Sequence, residues 1–180
     1  AIIAAINEAV EVTTPRPEFV FITGDLTDTW RPEEVRDFKA LLKALSPGLR
    51  VHVTSGNHDV TFDPQLGHIK SWKEAFPLAA LPQVIDEGGL ALIGYDSQVY
   101  NQRRKAAEVD AIAEAQWGRL EQAVRAAHEA GKRTLLFSHI PALPNFFRKR
   151  VGASWSTGYL TRFRALIARY EVEASITGHF

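Results

Sequence analysis

Gly56-Asn57-His58-Asp59 sets an amide oxygen, an imidazole and a carboxylate side by side, directly after the strand-like run Leu49 to Thr54. The glycine lets the chain turn sharply at the strand end. The three side chains after it have the means to ligate a cation, donate a proton and orient the donor, a combination that suits a metal site cleaving phosphoesters. Taken alone the tetrapeptide is weaker, because Asn-Asp-Gly clusters are ordinary turn chemistry and a lone histidine is most often a satisfied surface or core residue. Gly24-Asp25, Ser138-His139 and Gly178-His179 change the weighing. Asp25, Asn57, His139 and His179 then stand at the ends of four candidate strands and form a mixed oxygen and nitrogen ligand set. Such donors suit manganese, iron or zinc better than calcium or magnesium, which prefer oxygen alone. Asp25, with two oxygens and a full negative charge, is the candidate to bridge two cations.

The elements that must position these residues follow from apolar spacing. Glu18 to Thr23 is a short apolar run between Pro17 and Gly24, which predicts a strand buried on both faces. Pro32 and Glu33-Glu34 open a helix with Val35, Phe38, Leu41, Leu42 and Leu45 on one face, and Pro47-Gly48 closes it before the strand Leu49 to Thr54. Strand, helix and strand with short links predict a parallel βαβ unit. Downstream, the spacing predicts a helix over Ile69 to Phe76, then a hairpin of strands around Val84-Ile85 and Leu90 to Tyr95 joined at Glu87-Gly88-Gly89. A longer helix from about Ala111 to Ala130 carries Ala113, Trp117, Leu120 and Val124 on one face and stops at Gly131. A buried strand, Arg133 to Ser138, ends at His139. A long loop from Ile140 to Tyr159 leads into a last helix through Leu160, Phe163, Leu166, Ile167 and Tyr170, and a strand, Glu173 to Thr177, runs into Gly178-His179. In one parallel sheet the strand ends lie side by side, at the edge where open α/β sheets place their active sites.

Composition narrows the classes. A chain of 180 residues with 46% hydrophobic content suits one domain with a real core, and excludes disordered and fibrous readings. Lys plus Arg and Asp plus Glu number 21 each, so no overall basic field for general nucleic-acid binding exists. Cysteine is absent, which removes thiolate metal sites and cysteine nucleophiles and fits a reducing, cytoplasmic compartment. No apolar run approaches the length of a membrane span, and no signal-peptide pattern opens the chain. Methionine is also absent, Ile2, Ile3, Ile6 and Val10 follow helical spacing with no cap before them, and the last strand has no closing element. Both ends read as cut.

In order, Gly24-Asp25, Gly56-Asn57-His58-Asp59, Ser138-His139-Ile140-Pro141 and Gly178-His179-Phe180 resemble the motifs of the calcineurin-like metallophosphoesterases. That family's pattern is Asp-x-His, Gly-Asp, Gly-Asn-His-Asp or Glu, a lone His, and Gly-His-x-His. Three of the five are complete, the last is one residue short, and Asp-x-His is missing. The match spans residues 18 to 180. A tetrapeptide of this kind arises by chance in about one unrelated chain in a thousand, and the ordered set is far rarer. Tyr95-Asp96-Ser97-Gln98-Val99-Tyr100, Ala115-Gln116-Trp117 and His139-Ile140-Pro141 are similar to the branch with serine/threonine protein phosphatase members.

The resemblance implies an α/β/β/α sandwich of two central sheets flanked by helices, here without its first strand and C-terminal closure. It also implies two metal ions of the manganese, iron or zinc kind, with Asp25 bridging. Asn57, His139 and His179 complete the protein ligands of one ion, so the segment holds half of the site. His58 then stabilises phosphoryl charge or protonates the departing alkoxide, and Asp59 holds the His58 imidazole in the right tautomer. The implied reaction is hydrolysis of a phosphomonoester on protein or a small metabolite by a metal-activated water. A phosphodiesterase and a noncatalytic scaffold are the alternatives, because a fold does not set a substrate.

Other residues keep their ordinary roles. His52, His68 and His128 fall outside every motif. Arg148-Lys149-Arg150, with Phe146, Phe147, Trp155 and Tyr159 nearby, attracts a phosphorylated substrate or forms a solvated basic face. Asp96-Ser97-Gln98 either lines the site or ends a strand.

Overall fold

A computed structural model describes residues 1–60, 71–72, 74–76, 82–100, 107–142 and 155–179. Helix α1 (Ile2–Val12) precedes strand β1 (Phe19–Thr23), helix α2 (Pro32–Lys43) and strand β2 (Arg50–Thr54). The single turn α3 (Asn57–Val60) follows β2 at once, then come β3 (Gln83–Glu87), β4 (Leu90–Gly94) and a 3₁₀ turn at Gln98–Tyr100. Helix α4 (Ala107–Glu129), β5 (Arg133–Ser138), α5 (Thr157–Arg169) and β6 (Ala174–Thr177) complete the order.

The strands form two sheets. β1 and β2 pair in parallel, with Phe19 opposite Arg50 and Thr23 opposite Thr54, as the predicted βαβ unit requires. The second sheet has the order β3-β4-β5-β6, in which β3 and β4 are the antiparallel hairpin and β4, β5 and β6 are parallel. The expectation that all four motif-bearing strand ends share one sheet is therefore corrected. Two lie in each sheet, and the sheets face one another, as the sandwich reading implies.

Strand alternation explains why the runs read as continuously apolar. Phe19 and Phe21 of β1 face Leu92 of β4 and Leu135 and Phe137 of β5, forming a layer between the sheets in which the Phe21 and Phe137 rings stand 4.4 Å apart. Ile22, Val51 and Val53 point the other way, toward Val35 and Phe38 of α2. Ala91, Ile93 and Leu136 leave the second sheet toward Trp117, Leu120 and Val124 of α4 and Phe163 and Leu166 of α5. A sheet covered on both faces needs apolar side chains at consecutive positions. At about 25 cal/mol per Å² of apolar surface, this double burial is the main stabilising term of the fold. β1 is only half-buried along its length, short of the full burial predicted, because among the described residues it pairs with β2 alone. Leu41 is likewise exposed on the rim of α2, although Leu45 is buried as expected.

Local chemistry fixes the helix entrances near the site. At α2 the Glu34 carboxylate accepts the Arg31 N–H at 2.9 Å and both the N–H and hydroxyl of Thr29, beside Pro32 in the first turn. This fastens the loop that leaves β1. α4 begins four residues before the expected Ala111, and α5 begins at Thr157, inside the stretch read as loop. Of the helix predicted over Ile69 to Phe76, residues 71–72 and 74–76 are described, and all of these but Phe76 are helical. His68, Phe146, Phe147 and Arg148-Lys149-Arg150 lie outside the described residues. Among the described residues, no helix is long and apolar enough to cross a membrane.

Candidate metal centre

Asp25 follows β1, Asn57 opens the turn after β2, His139 leaves β5 and His179 follows β6, so each lies at the C-terminal end of a parallel strand. The facing of the two sheets brings the four together around one atom. His139 Nε2 stands 2.9 Å from Asn57 Oδ1, 3.0 Å from His179 Nδ1 and 3.2 Å from Asp25 Oδ2. Ligand atoms of Asp25, His139 and His179 all lie within 4.8 Å of one another, close enough to share an ion.

The tautomer of His139 follows from its second nitrogen. Nδ1 is 2.7 Å from the Thr23 carbonyl, which can only accept, so Nδ1 carries the hydrogen. In the neutral ring Nε2 is then a lone pair, and it faces an amide oxygen and a carboxylate oxygen. Lone pairs gathered in this way repel one another unless a proton or a metal cation lies among them. Donors about 2.1 Å from a shared cation and at right angles to one another stand about 3.0 Å apart, which matches the observed separations. The carbonyl behind Nδ1 is the usual device for aiming a histidine at a metal. By these tests the donor set fits a metal ion.

Close packing of the loops makes this convergence possible. Gly24 (φ +88°) has the Gly56 Cα and His139 Nδ1 2.7 Å from where a Cβ would stand, and a Cβ on Gly56 would collide with the backbone and carboxylate of Asp25. Asp25 and His179 adopt left-handed backbone conformations (φ 51° and 64°). Such conformations are costly for residues with a side chain and gather at functional sites.

Electrostatics follow the geometry. Burial raises the Asp25 carboxyl, but with no ion among the donors the hydrogen bond and charge that His139 offers when protonated, the His58 N–H at 3.1 Å and the His58 charge outweigh it, and the net direction is down. Burial, with the neighbouring His139, pushes His179 down and favours its neutral, ligating form. His58 is raised, chiefly because its Nδ1 meets the Asp28 carbonyl at 2.7 Å, against a desolvation that lowers it, and with the charges of Asp25, Asp28 and Asp59 adding.

Asp59, expected to orient His58, makes its hydrogen bonds elsewhere. Asp59 is fully buried, and its oxygens accept the N–H groups of Gly56 (2.8 Å), Leu26 (3.2 Å) and Thr27 (3.1 Å) and the Thr27 hydroxyl (3.1 Å). It is a latch between the loop after β1 and the loop after β2, and so sets the spacing of Asp25 and Asn57. The His58 ring instead meets Asp28, by its carbonyl and by Oδ1 at 3.3 Å. The sequence carries no signal for Asp28, because its main contact uses the backbone, which a side-chain pattern does not encode. Asp59→Ala would strand four buried donors and is expected to destabilise the protein by about 3–5 kcal/mol. Denaturant unfolding checks this; unchanged stability with lost turnover would restore the orienting role.

Away from this centre, a groove of about 210 Å³ between α4 and α5 is lined by Trp117, Arg162 and Arg169 among others. Arg162 there lies over the Trp117 ring and pairs with Glu114, which assigns it to packing. His52 is packed against Phe19 and Phe21 between the sheets, and His128 lies against Tyr170, so neither joins the centre.

Relatives agree with this architecture. A mouse (Mus musculus) protein named serine/threonine-protein phosphatase CPPED1 is 27% identical over 74% of this chain and 43% of its own length. The cattle (Bos taurus) protein of that name is 25% identical over 96% of this chain and 56% of its own. The chain thus spans about half the length of the curated relatives it matches. The crystal structure of phosphopantetheinyl hydrolase (PptH) from Mycobacterium tuberculosis superposes with a TM-score of 0.51 and 18% identity, covering 96% of this chain and 76% of that one. At that identity the likeness shows the fold. The family model for calcineurin-like phosphoesterases matches residues 1–180 from end to end, and the chain belongs to that family.

Proposed function

We propose that this chain carries one half of a two-metal centre that hydrolyses phosphomonoesters, with Asp25, Asn57, His139 and His179 as the protein ligands of one ion. The observation that supports it most is the convergence of three donor atoms, from three other strand ends, on His139 Nε2 within 3.2 Å. When bound, the metal supplies Lewis acidity toward the phosphoryl oxygens and lowers the pKa of a coordinated water. Manganese, iron and zinc all suit these donors.

The side chains divide the remaining work. Asp25 offers Oδ2 toward His139 while Oδ1 accepts the His58 N–H, so the carboxylate is fixed at both ends. His139 is aimed by Thr23. His58, outside the ligand set and one residue from Asn57, faces its Nδ1 to Asp28. In this reading it stabilises charge on the phosphoryl group or gives a proton to the leaving oxygen. The monoester reading draws on the relatives named as serine/threonine phosphatases, and phosphorylated proteins or small metabolites are the substrates it implies.

Parallel assays of the full-length protein with nitrophenyl phosphate and bis(nitrophenyl) phosphate test this. The monoester is expected to turn over preferentially and to stop doing so on chelation. Preference for the diester would reassign the class, and metal binding without turnover of either would make the protein a scaffold.

A further inference from the structure

His139 leaves β5 at the point where the sheet stops holding the chain. Register with β4 ends at the Gly94–Phe137 pair, and register with β6 ends at Ser138–Thr177. Beyond that point both polar backbone groups of Ile140 are taken by side chains. The Ser97 hydroxyl accepts the Ile140 N–H at 2.7 Å, and Trp155 Nε1–H donates to the Ile140 carbonyl at 3.2 Å. Ser97 and Ile140 are fully buried, and Trp155 nearly so.

The Ile140 N–H belongs to the peptide plane that also contains the His139 carbonyl. Fixing that N–H therefore fixes the backbone of His139, while Thr23 fixes its ring. Ser97 is itself held in place. Asp96 Oδ1 accepts the Gln98 N–H at 2.8 Å in an Asx turn, and the Tyr100 N–H reaches the Ser97 carbonyl at 3.3 Å. Trp155 is anchored in the same region, because the Ser156 N–H donates to the Tyr100 carbonyl at 2.9 Å. The loop after β4 thus holds the segment after β5 on one side directly, through Ser97, and on the other through Trp155, which precedes α5 and is tied to that loop at Tyr100.

We infer that Ser97, assisted by Trp155, is a positioning residue that aims His139 at the metal. This rests on the reading of His139 as a ligand. The segment Asp96-Ser97-Gln98 accordingly serves the site from behind the ligand. Without the Ser97 hydroxyl the buried Ile140 N–H has no acceptor there, and the peptide must rotate to find one. That rotation carries Nε2 away from Asp25, Asn57 and His179. Partners behind metal-binding histidines typically change metal affinity by about 10–100-fold.

The test measures cobalt and zinc affinity by chelator competition, together with the absorption spectrum of the cobalt-loaded full-length protein. Ser97→Ala is expected to weaken affinity by about 10–100-fold and shift the cobalt bands, and Ser97→Thr, which keeps the hydroxyl, to restore both. Trp155→Phe, which keeps an aromatic ring but loses the N–H, is expected to move both readouts in the same direction by less. A merely structural role lowers the melting temperature of the metal-free protein but leaves the affinity and cobalt spectrum of the folded protein unchanged, and that result overturns the inference. If Ser97→Ala does not fold, Trp155→Phe decides by the same criterion. Failure of the wild-type protein to bind cobalt or zinc at all would overturn the metal centre itself, which separates the two failures.

Discussion

His58→Ala is expected to lower kcat on a phosphomonoester by about 10²- to 10⁴-fold, the range that a positioned proton donor or charge-stabilising group contributes. Metal content should stay at the wild-type level. The two expectations separate because the parts of His58 do different jobs. Its backbone N–H donates to Asp25 Oδ1 at 3.1 Å and survives the substitution, so the ligand keeps that support. Its ring, partly exposed at 38%, meets Asp28 and belongs to no group of metal-ligating atoms among the described residues. Removing a ring that is not packed in the core should also leave the fold intact. Steady-state kinetics with metal analysis of the same preparation decides the matter. Normal turnover removes His58 from the mechanism, and lost metal makes its ring part of the ligand support.

What the sequence made legible depended on how far apart the deciding residues lie. The parallel pairing of β1 and β2 was readable because strand, helix and strand follow one another with short links, and the hairpin of β3 and β4 because Gly88-Gly89 joins them. The ligand candidates were readable because each motif ends its own apolar run. That the runs divide between two sheets was not visible in their spacing, since a strand buried on both faces has the same pattern in either sheet. Only the family resemblance supplied it. Asp59 shows a second limit. Adjacency in Gly56-Asn57-His58-Asp59 suggested that the carboxylate serves the imidazole, yet in the α3 turn it points back to Gly56 and across to Leu26 and Thr27. Asp28 and Ser97 act on residues 30 and 43 positions away, by a backbone carbonyl and on a backbone N–H respectively, and such contacts leave no mark on composition or periodicity.

His139→Ala carries the other large effect, and it can be read without any substrate. Four-ligand zinc sites in small peptides bind with about 10–16 kcal/mol, so one donor in four is worth about 3 kcal/mol, or roughly 10²-fold in affinity. A ligand that binds only the folded state stabilises it by about 2.7 kcal/mol at 100 times its Kd. At the same metal concentration a variant bound 10²-fold more weakly sits near its Kd and gains about 0.4 kcal/mol. For a chain of this size about 1 kcal/mol moves Tm by about 2–4 °C, so metal should raise the wild-type Tm by about 5–11 °C and that of the variant by about 1 °C. His139 is the residue to remove because the other three donors all face its Nε2. Its loss also strands the Thr23 carbonyl, which lowers the stability of the metal-free protein, and for that reason the comparison must be the metal-induced change rather than Tm itself. An equal metal-induced rise in both proteins would mean that the ion is held elsewhere, and the centre around His139 would have to be abandoned.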